Sequence, residues 1–403
     1  MARTRKKGVY IDTESTYGTD PSGDGSGYLW IPALELGELV NGKEQLETNY
    51  FTTRNWATKA IAGRDGWSFD VTVPLIGLAT AAGDGTLAAS VDWLDAILTH
   101  IFGATAATTG EGVDTSGTNT IDLDTAGQFD SQDPIPVFEA SVPSATPRTQ
   151  WVIATDDGDG GSPTIEQIAT APDWESAPTG AAVAYGSKAY TFDDDGGASV
   201  AFAYVDDEIT YELLGGRCTA CSIVSEVGQI VRMSLSFAGD NLTEDTSGKS
   251  ALPAAGSAPA ISPVIGLKAP VYHGETKYPT QSVEIDFGIA AAELQTTENV
   301  NGRSDWQLIS ANPTIKIKPL RTNAILDLQR NVTSARLLVQ LGSGVLSGGV
   351  LNTIMIHAEE ATASEVTRID DNGISRHEVT FQVSDAGEFA AAEPSRVIQM
   401  VRA

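Results

Sequence analysis

The amino-acid sequence predicts a mainly β protein: two antiparallel β-sandwich-like domains, one flanking α-helix at about 90–102, and long acidic loops. Three observations carry this. Apolar and polar residues alternate in many short runs, a single segment has helical spacing, and a Pro/Ala/Gly/Ser-rich stretch divides the chain. Trp67, Phe69, Val71, Val73 and Leu75 share one parity against Ser68, Asp70 and Thr72, and Val231, Met233, Leu235 and Phe237 repeat the pattern. Val283, Ile285 and Phe287 alternate with Glu284 and Asp286, Ile315 and Ile317 with Lys316 and Lys318, and Val379, Phe381 and Val383 with Glu378, Thr380 and Gln382. A period of two with one apolar face means half-buried antiparallel strands.

The helix is read from Val91, Leu94, Leu98 and Ile101, which form one stripe with Trp93 and Ile97 beside it. Ser90 is the expected N-cap, Asp92 falls in the first turn and Gly103 follows the last apolar residues; these are ordinary start and stop signals. Residues 244–262, EDTSGKSALPAAGSAPAIS, are poor in large apolar side chains and read as a linker. The expected domains are therefore 1–245 and 263–403, with 246–262 between them. An acidic, Gly-rich insertion at about 104–200 is expected as surface loops with a few short strands. The segments 104–135, 153–163 and 190–200, with the basic arm 1–8, are the expected mobile parts of a free subunit.

Composition excludes several classes. The chain has 403 residues and 41% hydrophobic content, enough for real cores, but only 2 Cys, so no disulfide framework supports it. The start, with Arg3, Arg5, Lys6 and Lys7, lacks an apolar run and is not expected to be a secretory signal, and no stretch approaches the ~18 apolar residues of a membrane span. The formal net charge is −28, the wrong sign for wrapping nucleic acid. Between 104 and 210 the chain has 19 acidic residues against Arg148 and Lys188.

No motif for chemistry survives scrutiny. Cys218-Thr-Ala-Cys221 has the C-x-x-C spacing, but a redox pair needs a helix N-terminus and a zinc half-site needs two more ligands. His100, His273, His357 and His377 are scattered, so two small buried or half-buried thiols are expected. Gly342-Ser-Gly344 is followed by a β-like run, which reads as a glycine-rich hairpin rather than a dinucleotide turn. DDGDGG (156–161) and DDDGG (193–197) lack flanking helices and ligands at EF-hand offsets, which leaves solvated acidic loops. No catalytic residue, cofactor or metal is assigned, and an enzyme is not expected.

Three stretches, taken in order, resemble the tail-tube (major tail) proteins of long-tailed phages. The first is Glu14-Ser-Thr-Tyr17-Gly18-Thr-Asp20-Pro21, similar to an E-x-T-Y-G-T opening. The second is 205–240, VDDEITYELLGGRCTACSIVSEVGQIVRMSLSFAGD, with strand, Gly-Gly-Arg, strand, Gly turn and strand. The third, 268–320, holds VEIDFG, an Asn301-Gly-Arg303 turn and a Pro313-Thr-Ile-Lys-Ile317 strand. The long acidic insertion departs from the family.

The resemblance implies a structural virion protein, assembled in the host bacterial cytoplasm and residing in the virion tail. It implies self-assembly into stacked rings, trimeric or hexameric, around a channel that genomic DNA crosses without specific binding. The implied partners are further copies of the chain and other tail proteins such as a tape measure and a terminator, with no membrane. A DNA conduit should present carboxylates and small polar groups to the duplex, because an unpaired lumenal cation acts as a counterion and a sticking point. Glu284 and Asp286 are the candidate lumen-facing residues, on the polar parity of their strand. Two other readings remain: a different virion component such as a baseplate or head-decoration protein, and a carbohydrate-binding β-sandwich module using exposed Trp and Tyr.

Overall fold

The alternation read from the sequence becomes a cross-strand pattern. The computed structural model describes residues 7–42, 45–46, 61–62, 66–78, 92–108, 111–117, 120–123, 134–139, 148–154, 165–167, 182–184, 187–192, 197–207, 209–245, 252–253, 263–267, 270–274, 276–295, 303–320, 325, 327–328, 334–345, 351–371, 373–384 and 395–402. Val73, Met233, Ile223, Ile285, Ile315 and Phe381 are direct neighbours across six antiparallel strands, and all are buried. Each such side chain contributes roughly 1.5–3 kcal/mol by leaving water. A slip of one residue in any strand would turn its apolar set to solvent, so the register is strongly fixed.

These strands form the centre of a broad sheet. Its order is Trp67–Pro74, Arg232–Gly239, the second half of the long strand Ile209–Glu226, Thr280–Asp286, Thr314–Pro319, Ile374–Ser384 and Leu351–Asp371. The first half of Leu351–Asp371 is flanked instead by Ser334–Val345 and Ser395–Arg402, and the latter continues to Ser187–Phe192 and Gly103–Thr108. A second sheet comprises Lys7–Thr13, Val200–Asp206, the first half of the long strand and Asn241–Asp245. The two sheets meet through aromatic rings: Phe69 contacts Phe202 at 5.1 Å and Tyr204 at 5.8 Å between ring centroids, and Phe202 lies 4.7 Å from Phe237.

The two halves of the chain share this fabric. Residues 222–226 pair directly with 282–286, and Ser395–Arg402 pairs with Ser187–Phe192. Of the expected linker, Leu252 packs against a small cluster of Tyr10, Tyr28, Ala201 and Ala203 on the outer face of the second sheet.

Three expectations need correction. The helix spans Trp93–Phe102 and its N-cap is Asp92, whose carboxylate accepts from the Asp95 N–H at 3.0 Å; Ser90 lies outside the described residues. The short strands expected in the acidic insertion are present, and they are joined into one sheet. Thr120–Leu123, Glu111–Gly117, Ala182–Ala184, Pro134–Glu139, Arg148–Ala154 and Ile165–Gln167 form their own six-stranded sheet. Runs such as Trp151-Val-Ile153 supply the β-formers. Within the expected loop 190–200, residues 190–192 end a strand and Val200 begins one, while 155–163 and 193–196 lie outside the described residues. The arm's last residues, Lys7 and Gly8, already pair with Asp206 and Val205. Gly342 and Gly344 fall in the strand Ser334–Val345, at a register shift beside its hairpin.

The helix packs Trp93, Leu94, Ile97, Leu98, Ile101 and Phe102 into the main core, all buried. Its start is tied down by Arg402, which is fully buried. The guanidinium donates to Asp92 twice at 3.1 Å, to the Tyr190 hydroxyl at 3.1 Å, and to the carbonyls of Ile76 at 3.2 Å and Gly77 at 3.3 Å. All five N–H donors of the side chain thus have acceptors. Tyr190 in turn donates to Asp95 at 2.7 Å, and Lys188 pairs with Asp95 at 2.6 Å.

Two stability effects are expected. Leu98→Ala should destabilise by about 2–5 kcal/mol, because Leu98 has no exposed surface. Arg402→Met should cost about 3–5 kcal/mol by stranding the buried Asp92 carboxylate. Urea unfolding of each purified variant measures both, and a loss below about 1 kcal/mol for Arg402→Met would show that the cluster is not coupled to the fold.

Candidate functional site: the polar face of the broad sheet

The parity that buries Ile285 turns its neighbours outward. Glu284 and Asp286 are both exposed, while Val283, Ile285 and Phe287 are buried. The structure places them in two cross-strand rows. One row reads Thr72, Ser234, Ser222, Asp286, Thr314 and Gln382, the other Arg232, Val224, Glu284, Lys316 and Thr380. Small hydroxyls and carboxylates therefore cover one side of six strands whose other side is core.

Local bonds order this face. Ser236 donates to Asp70 at 2.7 Å, and the Thr72 and Ser234 hydroxyls are 3.3 Å apart. Asp286 accepts the Gly288 N–H at 2.9 Å. Gly288 has φ +56°, and a Cβ there would meet the Asn312 carbonyl at 2.2 Å, so the turn that holds Asp286 requires glycine.

The two lysines on this face have carboxylate neighbours, whereas Arg232 lies between Pro74 and Val224. Lys316 is the direct partner of Glu284, a position that sets Cβ atoms about 4.5–5.5 Å apart. Lys318 approaches Glu378 at 3.8 Å, with both side chains at least a third exposed. Such exposed pairs contribute only about 0–1 kcal/mol to stability. Their larger effect is on the field, since each ammonium is matched locally. Lys316 and Lys318 were visible in the sequence as alternating residues; which carboxylate each faces depends on long-range pairing and was not.

A second polar feature explains two of the recognised sequence stretches. Glu14 is buried; its carboxylate accepts the Gly18 N–H at 2.8 Å, the Ser199 hydroxyl at 2.6 Å and the Gly215 N–H at 2.8 Å. Burial raises its pKa, against the pull of these donors and of Arg217. Tyr17 donates to Asp240, which also accepts the Trp306 indole N–H at 3.3 Å. Gly215 has φ +67°, and a Cβ would lie 2.9 Å from the Tyr17 ring. The E-x-x-Y-G opening and the Gly-Gly turn thus form one clasp at the bend of the long strand. Arg217 donates to the Gly197 carbonyl beside it.

The residues weighed for chemistry are packed as structure. Cys218 and Cys221 are buried free thiols; burial pushes Cys218 up to about 12 and Cys221 well up, so neither is a ready thiolate. His100 is buried between two backbone groups: Nδ1 meets the Ala198 carbonyl, and Nε2 accepts the Cys218 N–H at 3.1 Å. That arrangement fixes the neutral tautomer with its proton on Nδ1. His273 bonds the Ala361 carbonyl at 2.9 Å. Among the described residues no group of three or more His, Cys, Asp or Glu is arranged to hold a metal ion. Trp67 and Trp93 are core, and Trp56 and Trp174 lie outside the described residues. No family model and no curated protein matches this chain.

The histidine gives a pH test. Burial pushes His100 down to about 4, against 6.5 for the exposed group. Its unfolded form binds a proton before the folded form does, so its share of stability is full above about pH 6.5 and is lost as pH falls toward 4. The shift corresponds to about 3 kcal/mol. The stability difference between wild type and His100→Asn should shrink by about that amount over this window, measured by urea unfolding at each pH; a difference that does not change with pH would refute the neutral, buried assignment.

Proposed function

We propose that the chain is a non-enzymatic tail-tube subunit that assembles into stacked rings, with the polar face of the broad sheet lining a channel through which DNA passes. The single observation that carries this reading is the two-sidedness of that sheet: one face rich in hydroxyls and carboxylates, with Lys316 and Lys318 beside carboxylates, backed by a continuous apolar core. A duplex bears a negative charge every ~1.7 Å, so a wall that neutralises its own cations offers few counterion sites. Repulsion from Glu284 and Asp286 acts within about 8 Å at physiological salt, so it is felt by a duplex close to the wall.

Strand number favours three copies per ring. The broad sheet runs seven strands from Trp67–Pro74 to Leu351–Asp371. At about 4.8 Å per strand, three copies close a wall of roughly 100 Å circumference and about 32 Å diameter at the backbone. Inward side chains leave roughly 20 Å, wide enough for a duplex with grooves about 8.5 Å deep. Two copies leave about half that width, and six leave a lumen far wider than DNA.

Charge reversal tests the lining. Wild-type tubes should not retain a short fluorescent duplex at 50 mM salt. Tubes of Glu284→Lys/Asp286→Lys should bind it, and release it as salt rises, because the added ammonium groups displace counterions. Assembled double-variant tubes that ignore the duplex would place these residues elsewhere than on the channel wall.

A further inference from the structure

Turns between strands are ordinarily built from Gly, Pro, Asn, Asp and Ser. At one end of the broad sheet the connections are apolar instead. Val227 is 58% exposed in the turn after the long strand, and Ile230 follows it. Ile265 bridges Ile230, Leu267 lies two residues on, Leu320 ends its strand and Ile374 opens the last hairpin's return strand. These are six of the eleven exposed large apolar side chains among the described residues. They share one end, because Glu226 pairs with Ser282, Thr280 with Pro319, and Leu320 bridges Arg376.

This rim is held in shape. Val227 N–H donates to the Gln281 carbonyl at 3.1 Å, Gly266 N–H to Gln229 at 2.8 Å, and Val231 N–H to Val264 at 2.9 Å. An apolar surface fixed by backbone bonds loses little freedom when it is covered.

The other end of the same strands carries a projecting hairpin. Thr280–Asp286 leaves the sheet at Gly288 and continues as Ile289–Gln295 paired with Arg303–Ala311. Leu294 is 43% exposed and Ile309 65%. The Trp306 indole bond to Asp240 anchors the hairpin.

We infer that the paired strands Ile289–Gln295 and Arg303–Ala311 of one copy seat on the apolar rim 227–230/264–267 of the next, a head-to-tail contact along the strand direction. The inference rests on the tube reading and identifies the contact that stacks its rings. The occupant is a second copy because the two apolar surfaces lie at opposite ends of the same strands. Joining them adds each copy in the same orientation, and such heterologous contacts generate open filaments. Rim against rim would close as a pair and leave every hairpin uncovered. Copies that each carry −28 repel, so the contact that adds them must draw on apolar burial.

Full-length Ile265→Asp and Ile309→Asp test this by sedimentation and negative-stain microscopy, with Ile209→Asp, an exposed apolar residue of the second sheet on neither surface, as control. Both targets are exposed, so melting temperatures should stay near wild type; Val227→Asp replaces Ile265→Asp if that variant unfolds. Wild type and control should form tubes, and each rim or hairpin variant should lose at least tenfold in sedimentable protein. An equimolar mixture of the two variants has one intact rim and one intact hairpin, so it should yield two-layer particles and no long tubes. Wild-type yields of tube from either variant, or long tubes from the mixture, would overturn the inference and leave the tube reading standing. A wild-type chain that stays monomeric at every concentration would remove both.

Discussion

The architecture depends on one strand that belongs to two sheets. Ile209–Glu226 pairs with Val200–Asp206 and Asn241–Asp245 in its first half, and with Arg232–Gly239 and Thr280–Asp286 in its second. Between the halves the chain must bend, and the bend exposes a backbone N–H at Gly215 inside the protein. An unpaired buried donor costs about 1–3 kcal/mol. Glu14 accepts it, and the same carboxylate holds the loop that brings Tyr17 over the glycine. From this point the second half of the strand delivers Ser222 and Val224 to the polar face and joins the N-terminal half of the chain to the C-terminal half through 282–286. Without the bend there is no closed sandwich, and without the continuation there is no single broad wall.

How much was legible in the sequence follows from what is local. Parity is local, so the side of the strand on which Glu284, Asp286, Lys316 and Lys318 lie could be read from their neighbours. Pairing is not local: that Glu284 faces Lys316, or that Thr72 begins a row ending at Gln382, depends on a register set by the whole sheet. The polar residues that are buried were the hardest to see. Glu14 stands among Ser, Thr and Asp and reads as a solvated loop acid. Arg402 follows Val401 near a run of acidic and small residues, and nothing nearby marks it as the partner of a helix cap 310 positions earlier. In the acidic insertion short strands were expected, but their joining into one sheet depends on long-range pairing.

The charge of the molecule has two separate places. The polar face carries Asp70, Glu226, Glu284, Asp286, Glu360, Glu365 and Glu378 against Arg232, Lys316, Lys318 and Arg376, which is mildly acidic. The greater excess, 19 acidic residues against Arg148 and Lys188, lies between 104 and 210. The proposed channel wall requires few unmatched cations rather than a large potential; Lys316 and Lys318 lie beside carboxylates, and Arg232 is the exception. The insertion's acidity suits a different task, keeping outer surfaces soluble and neighbouring particles apart. The exposed rim at the sheet end is apolar, apart from both of these charged regions.

A density map of the assembled particle at side-chain detail measures the central claim most directly. The account predicts three copies per ring, with the row Thr72, Ser234, Ser222, Asp286, Thr314 and Gln382 facing the lumen and Lys316 beside Glu284 on the inner wall. A particle whose broad sheet turns that row outward, or whose lumen is lined by unmatched Lys and Arg, would contradict it.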